Sequence, residues 1–185
     1  MVSPCSLRPI EDELPELLRL MWDPDATGEY QLFGFRVNKS RELQRRWQDD
    51  GLIADHGSSF LAVSLPDGTA AGWVTWHEAG PPGVAEIGIV LFPDHRGRGL
   101  GTEAQRQLVD YLFNTTAVHR IQAGTEVANT AEQRALEKAG FRREGVQRGL
   151  YIRAGAWRDS AMYGVTRTDW TPHRDTGRPS PQCTP

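Results

Sequence analysis

Residues 85–91 (AEIGIVL) form a β-type run, residues 103–113 (EAQRQLVDYLF) a helical one, and between them lies the bend 95–102 (HRGRGLGT). Strand, bend and helix in that order make an α/β unit, and this bend is unusual. Gly97, Gly99 and Gly101 alternate along it and strip side chains from one stretch of backbone. A ligand can then lie directly on N–H groups. The first turn of the following helix adds donors that have no partner inside the helix, together with the positive end of its dipole. Such a place suits a phosphate or diphosphate. Arg96 and Arg98 add positive charge.

The glycine spacing narrows the ligand. A P-loop needs G-x-x-x-x-G-K-[ST], and the bend contains no Gly-Lys. A dinucleotide fingerprint reads G-x-G-x-x-G early in a βαβ unit, whereas this chain reads G-x-G-x-G midway along. A second stretch, 129–141 (NTAEQRALEKAGF), reads as a capped helix. Asn129 can cap its start. Ala131, Ala135, Leu136 and Ala139 fall on one face, Gly140 is a stop, and Phe141 can pack back on the last turn.

Arg96-Gly97-Arg98-Gly99-Leu100-Gly101 resembles the R-x-x-G-x-G/A signature of the GNAT superfamily of CoA-dependent N-acyltransferases. The second stretch resembles that family's N-x-x-[SA]-x-x-x-[LY]-x-K-x-G-F segment, with Glu132 where the family often has serine. Further on, Glu144-Gly145-Val146 and Trp157-Arg158-Asp159 with Tyr163 resemble the ending of RimJ/RimL-type acetyltransferases. The likeness runs from about Ser6 to Trp170 and is weakest from Asp23 to Asp55, where family members differ and acceptors bind.

The resemblance implies a mixed α/β sheet, flanked by helices and splayed open between its central parallel strands. It implies acetyl-CoA as co-substrate, its diphosphate held by Arg96, Gly97, Arg98, Gly99, Leu100, Gly101 and Thr102. Its arm would run back along Ile89, Val90 and Leu91, pairing as an added strand would, and would meet the side chain of Asn129. The implied activity is acetyl transfer to an amine, a protein N-terminus or a small molecule. The alternative is a non-catalytic acyl-CoA-binding regulatory module. A homodimer is common in the family.

A chain of 185 residues, 38% apolar and 24% charged, suits one globular domain. That domain is expected over residues 1–170, with a Pro- and Thr-rich tail from 171 to 185. A net charge of −3 gives no general pull toward nucleic acid or an anionic membrane. Cys5 and Cys183 lie at opposite ends, no His pattern has metal spacing, and the N-terminus is polar with Pro4 and Pro9. No apolar run has the length of a membrane-spanning helix. These features are read as a cytoplasmic protein without a metal.

The remaining pattern predicts strands over 5–9, Ser59–Ser64, 70–77, 120–127, 147–152 and 161–166. Helices are expected over 11–22 and 38–50, the latter with Leu43 and Trp47 on one face. Pro66-Asp67-Gly68 is a turn between two strands. The last two strands are joined by residues 153–158.

An amine must be neutral to attack a thioester, so a general base is expected. Glu86 is the first candidate, a carboxylate in an otherwise apolar strand, on the face shared by Gly88 and Val90. The alternative is a structural carboxylate bound to an arginine. Glu126, at the end of the next strand, is the second candidate. For the acid, Tyr163 and Tyr151 lie on late strands. A thiolate with pKa near ~8.5 can also leave without one. Trp157 and Asp159 read as structural, and Phe33, Phe35 and Arg36 as acceptor contacts.

Overall fold

A computed structural model describes residues 3–20, 23, 28–31, 40–53 and 57–170. The elements run β1 (Ser6–Arg8), α1 (Leu14–Leu20), α2 (Ser40–Asp50), β2 (Ser59–Ser64), β3 (Ala70–Glu78), β4 (Val84–Leu91), α3 (Leu100–Thr115), β5 (Arg120–Glu126), α4 (Thr130–Ala139), β6 (Arg142–Arg153) and β7 (Ala156–Thr166). One-turn 3-10 segments occur at Glu29–Gln31 and Pro93–His95. The order of strands and helices is the expected one. Trp22, Phe33, Phe35, Arg36 and the tail 171–185 lie outside the described residues.

All seven strands join one mixed sheet, ordered β1-β2-β3-β4-β5-β7-β6. Only β4 and β5 are parallel neighbours. Alternation along β4 divides its side chains between two cores, because successive residues point to opposite faces. Ile87, with Ile89 and Leu91 at its margin, packs with Leu100, Ala104 and Leu108 of α3 and Leu136 of α4. Val90 faces the other way, with Trp73 of β3 and Leu14, Leu17 and Leu18 of α1. Leu43 and Trp47 of α2 cover that second core, and Trp47 Nε1 donates to the Ile10 carbonyl at 2.6 Å.

The β4–β5 ladder is short. It pairs Val84 with Arg120, Ala85 with Ile121 and Glu86 with Gln122, and it ends there. Each strand remains paired on its other side: β4 with β3 from Ala85 to Leu91, and β5 with β7 along its whole length. The two halves of the sheet therefore twist apart beyond Glu86, the splay that the resemblance implied.

The last two strands are longer than their sequence suggests, and residues 153–158 do not form a connection. Arg153 and Ala156 already pair across β6 and β7. The turn is Ala154-Gly155, both at positive φ (49° and 75°). Such two-residue turns match the twist of a hairpin. A bulge between Gln147 and Tyr151 interrupts the ladder, and Asp159 Oδ1 accepts the Gly149 N–H there at 2.8 Å.

Candidate functional site

Past the end of the β4–β5 ladder lies a cleft of about 570 Å3, walled by Ile89, Val90 and Leu91 of β4, by the glycine bend, and by α4. The bend closes one end. Gly97 and Gly99 have φ of 73° and 81°, left-handed values that a residue with a Cβ adopts at a cost. Gly99 is the N-cap of α3 and offers no side-chain cap. The amides of the first helical turn are therefore left to a ligand, as helix geometry requires of every uncapped N-terminus. Gly97, Gly99, Gly101 and Thr102 all line the cleft. Arg96 lines it too, its Nε–H donated to the Leu91 carbonyl at 2.8 Å. Arg98 is exposed and does not line it. Leu100 buries its side chain under the bend, leaving only its backbone as a contact.

On the opposite wall Asn129 caps α4. Its Oδ1 accepts the Glu132 N–H at 3.3 Å and its Nδ2 donates to Thr125 Oγ1 at 3.0 Å. At the other end Gly140 takes φ 102°, and the Phe141 N–H returns to the Leu136 carbonyl at 3.0 Å. The expected single apolar face of α4 is divided. Leu136 and Ala139 are buried, whereas Ala131 and Ala135 line the cleft with Arg134 and Lys138. Positions 131, 134, 135 and 138 share one helical stripe, a signal present in the sequence at i, i+3, i+4 and i+7.

Glu132 stands on that wall as well, half-buried. Gln105 Nε2 donates to its Oε1 at 3.1 Å, but burial dominates and raises its pKa to about 7. Across the cleft, Glu29 and Tyr30 complete the lining. Sequence reading had not assigned Glu132, Arg134, Lys138, Glu29 or Tyr30 to the site.

Glu86 lies at the fork itself, on the last rung of the ladder, half-buried and on the face opposite α3. It does not line the cleft. The other two expected catalytic residues each have partners of their own away from the cleft lining. Glu126 is 3% exposed and held by Arg153, whose Nε and Nη2 donate to its two oxygens at 2.7 Å each. Those bonds keep its pKa below the usual carboxylate range. Arg153 also lies over the Tyr30 ring, 5.3 Å from its centroid. Tyr163 is fully buried, and its hydroxyl donates to Glu137 Oε1 at 3.1 Å beneath α4, away from the cleft wall. Burial and that bond raise its pKa. Tyr151 is half-buried, its pKa pushed up to about 12 first by burial and then by Glu126. Trp157 is 70% exposed.

A fork in a mixed sheet, a cleft along one arm and a glycine bend on a helix N-terminus stand together at one place. The model of the GNAT acetyltransferase domain matches residues 5–142. The chain belongs to the GNAT acetyltransferase family. YjcK of Bacillus subtilis, named a probable N-acetyltransferase, is 41% identical over 85 residues, 46% of this chain and 47% of that protein. The chain thus spans about half of YjcK. The N-acetyltransferase p20 of Bacillus licheniformis is 28% identical over 170 residues, 89% of this chain and 94% of that one. Spermidine N-acetyltransferase from Vibrio cholerae, solved with CoA and spermine, superimposes with a TM-score of 0.77 over 91% of this chain and 98% of its own, at 22% identity. That likeness establishes the fold. The reading as a non-catalytic module is not favoured by relatives that carry the name of N-acetyltransferases. No helix among the described residues is long and apolar enough to cross a membrane.

Proposed function

We propose that this chain, an acetyltransferase of the RimJ/RimL type, uses acetyl-CoA to acetylate a primary amine, a protein N-terminus or a small-molecule amine, by direct attack in a ternary complex. The observation that carries the proposal is the fork. The β4–β5 ladder ends at Glu86, and the cleft beyond it leads to the amides of Gly97, Gly99, Gly101 and Thr102.

The residues fit the coenzyme. The diphosphate suits the bend and the first turn of α3, where dipole and unpaired amides favour anions. Arg96, Arg134 and Lys138 supply three positive charges to the lining, which also holds the carboxyl groups of Glu29 and Glu132. The arm suits the wall made by Ile89, Val90 and Leu91, with Asn129 opposite. Acetyl-CoA brings an activated acyl carbon, so the protein has only to orient the amine and remove its proton.

Glu86 is suited to that removal. Its carboxylate lies on the α1 face of the sheet, at the point where the cleft begins. As the nitrogen–carbon bond forms and the carbon–sulfur bond breaks, the amine proton passes to Glu86. The thiolate leaves without a dedicated tyrosine, which its pKa near ~8.5 allows. The reading includes a cytoplasmic setting, in keeping with the free, buried thiol of Cys5.

Incubation with acetyl-CoA and a mixed panel of peptides, polyamines and aminoglycosides, read by mass spectrometry, tests the proposal. Acetylated product on at least one amine, with matching CoA release, supports it. Absence of product across the panel, with no CoA binding by calorimetry, overturns it.

A further inference from the structure

Behind the cleft wall, Glu132 meets a buried amide with an unsatisfied oxygen. Gln105 of α3 is 1% exposed, and its Oε1 has no hydrogen-bond partner. Its Nε2 is donated to Glu132 Oε1 at 3.1 Å. The bond between the two side chains uses the amide nitrogen and leaves the buried amide oxygen without a donor. Buried acceptors left in that state are costly. A carboxylic O–H on the adjoining Glu132 would be a donor at this place.

The location matters for a ligand. Gln105 lies four residues beyond Gly101, one turn into α3 below the glycine bend. Glu132 touches Gln105 and also lines the cleft, so it stands near the end of the cleft that the glycine bend closes. β4 and α3, the two elements on either side of it, contribute no charged group to the lining. β4 contributes Ile89, Val90 and Leu91, and α3 contributes Gly101, Thr102 and Gln105. The charged groups of the lining are Arg96 on the bend, Arg134 and Lys138 on α4 itself, and Glu29 on its 3-10 turn. Among the described residues none of these forms an ion pair with Glu132. Ionised, the carboxylate would face an anionic ligand across a low-dielectric wall. Neutral, it is a donor.

We propose that Glu132 is a ligand-binding residue that works as the neutral acid, so that the enzyme takes up a proton when it binds coenzyme A and loses affinity as this carboxyl ionises. The proposal rests on the coenzyme reading of the cleft. Burial independently raises this group to about 7, so the change falls within the ordinary working range of pH. By linkage, a group protonated in the complex and ionised in the free enzyme draws in a proton on binding. At pH 8 the uptake approaches one proton, and at pH 6 it vanishes.

Calorimetric titration with CoA in HEPES and in Tris, whose ionisation enthalpies differ, measures this uptake. The wild type is compared with Glu132→Gln, which keeps the shape but cannot ionise, and with Glu132→Ser. The phosphates of CoA titrate alike in all three proteins and cancel. At pH 8 the wild type is expected to take up about one proton more than either variant. Its CoA affinity should fall about tenfold from pH 6 to pH 8 relative to theirs. Equal uptake and parallel pH profiles overturn the proposal while leaving the coenzyme site intact. Failure of all three to bind CoA at any pH overturns both.

Discussion

Gln122 Nε2 donates to Glu86 Oε2 at 3.0 Å across the last rung that β4 and β5 share. This bond orients a carboxylate at the place where the sheet opens. It also explains why a charged residue is tolerated in a strand whose neighbours Ala85 and Ile87 are buried.

Replacing Glu86 by Gln keeps an acceptor for Gln122 and removes the base. General bases contribute about 10²–10⁴-fold. The variant is expected to lose roughly 100-fold or more in kcat/KM. CoA affinity should be unchanged, because Glu86 does not line the cleft. Steady-state kinetics and calorimetry on the same preparation check this, and an unaltered rate would remove Glu86 from the chemistry.

The glycines of the bend differ in what they permit. Gly99 has φ 81° with open space around it, so Gly99→Ala carries a conformational cost of about 1–2 kcal/mol and no clash. A Cβ on Gly101 would meet Leu91 Cδ1 at 3.6 Å, an ordinary contact, so Gly101→Glu is compatible with folding. Its carboxylate would face the diphosphate. Like charges ~4 Å apart at an effective dielectric of ~20 repel by about 4 kcal/mol. Gly101→Glu should therefore weaken CoA binding by at least about 100-fold, with Gly101→Ala as the matched control and circular dichroism reporting the fold. Normal CoA binding by Gly101→Glu would move the diphosphate elsewhere.

Much of this site is legible from local pattern. The strand–bend–helix at 84–115 is marked by alternate glycines, and α4 by Asn129 at one end and Gly140 at the other. Trp73 and Trp76 enter different cores, as odd spacing on a strand requires. What escapes the sequence depends on partners distant along the chain. Glu126 reads as a free acid until Arg153, from another strand, saturates it. Tyr163 reads as a donor for the cleft until α4 covers it. β6 was foreshortened because its first nine residues are exposed and charge-rich, which erases the alternation of a half-buried strand.

The Glu126–Arg153 pair makes stability depend on pH in a defined sense. A carboxylate held below its unfolded value contributes stability that is present above that value and is lost as pH falls through the folded value. The loss should therefore set in below pH ~4.5. Glu126→Gln leaves Arg153 without its bidentate partner and should melt lower at neutral pH. Its melting temperature should also fall less steeply than that of the wild type under acid. Thermal melts from pH 7 to pH 3 check both, and parallel acid limbs would count against the pair as their source.

Tyr163→Phe separates packing from catalysis. The ring is fully buried within the core that joins β5, β7 and α4, and phenylalanine preserves it. Only the hydroxyl is lost, with its bond to Glu137 and a longer one to Gln133 at 3.4 Å, together worth about 1 kcal/mol. Because that hydroxyl lies under α4 and off the cleft wall, kcat and KM for acetyl-CoA should match the wild type while urea unfolding shifts by about that amount. A large fall in kcat at unchanged stability would mean that the hydroxyl reaches the sulfur after all. α4 would then have to move during turnover, since its Glu137 holds the hydroxyl in this conformation.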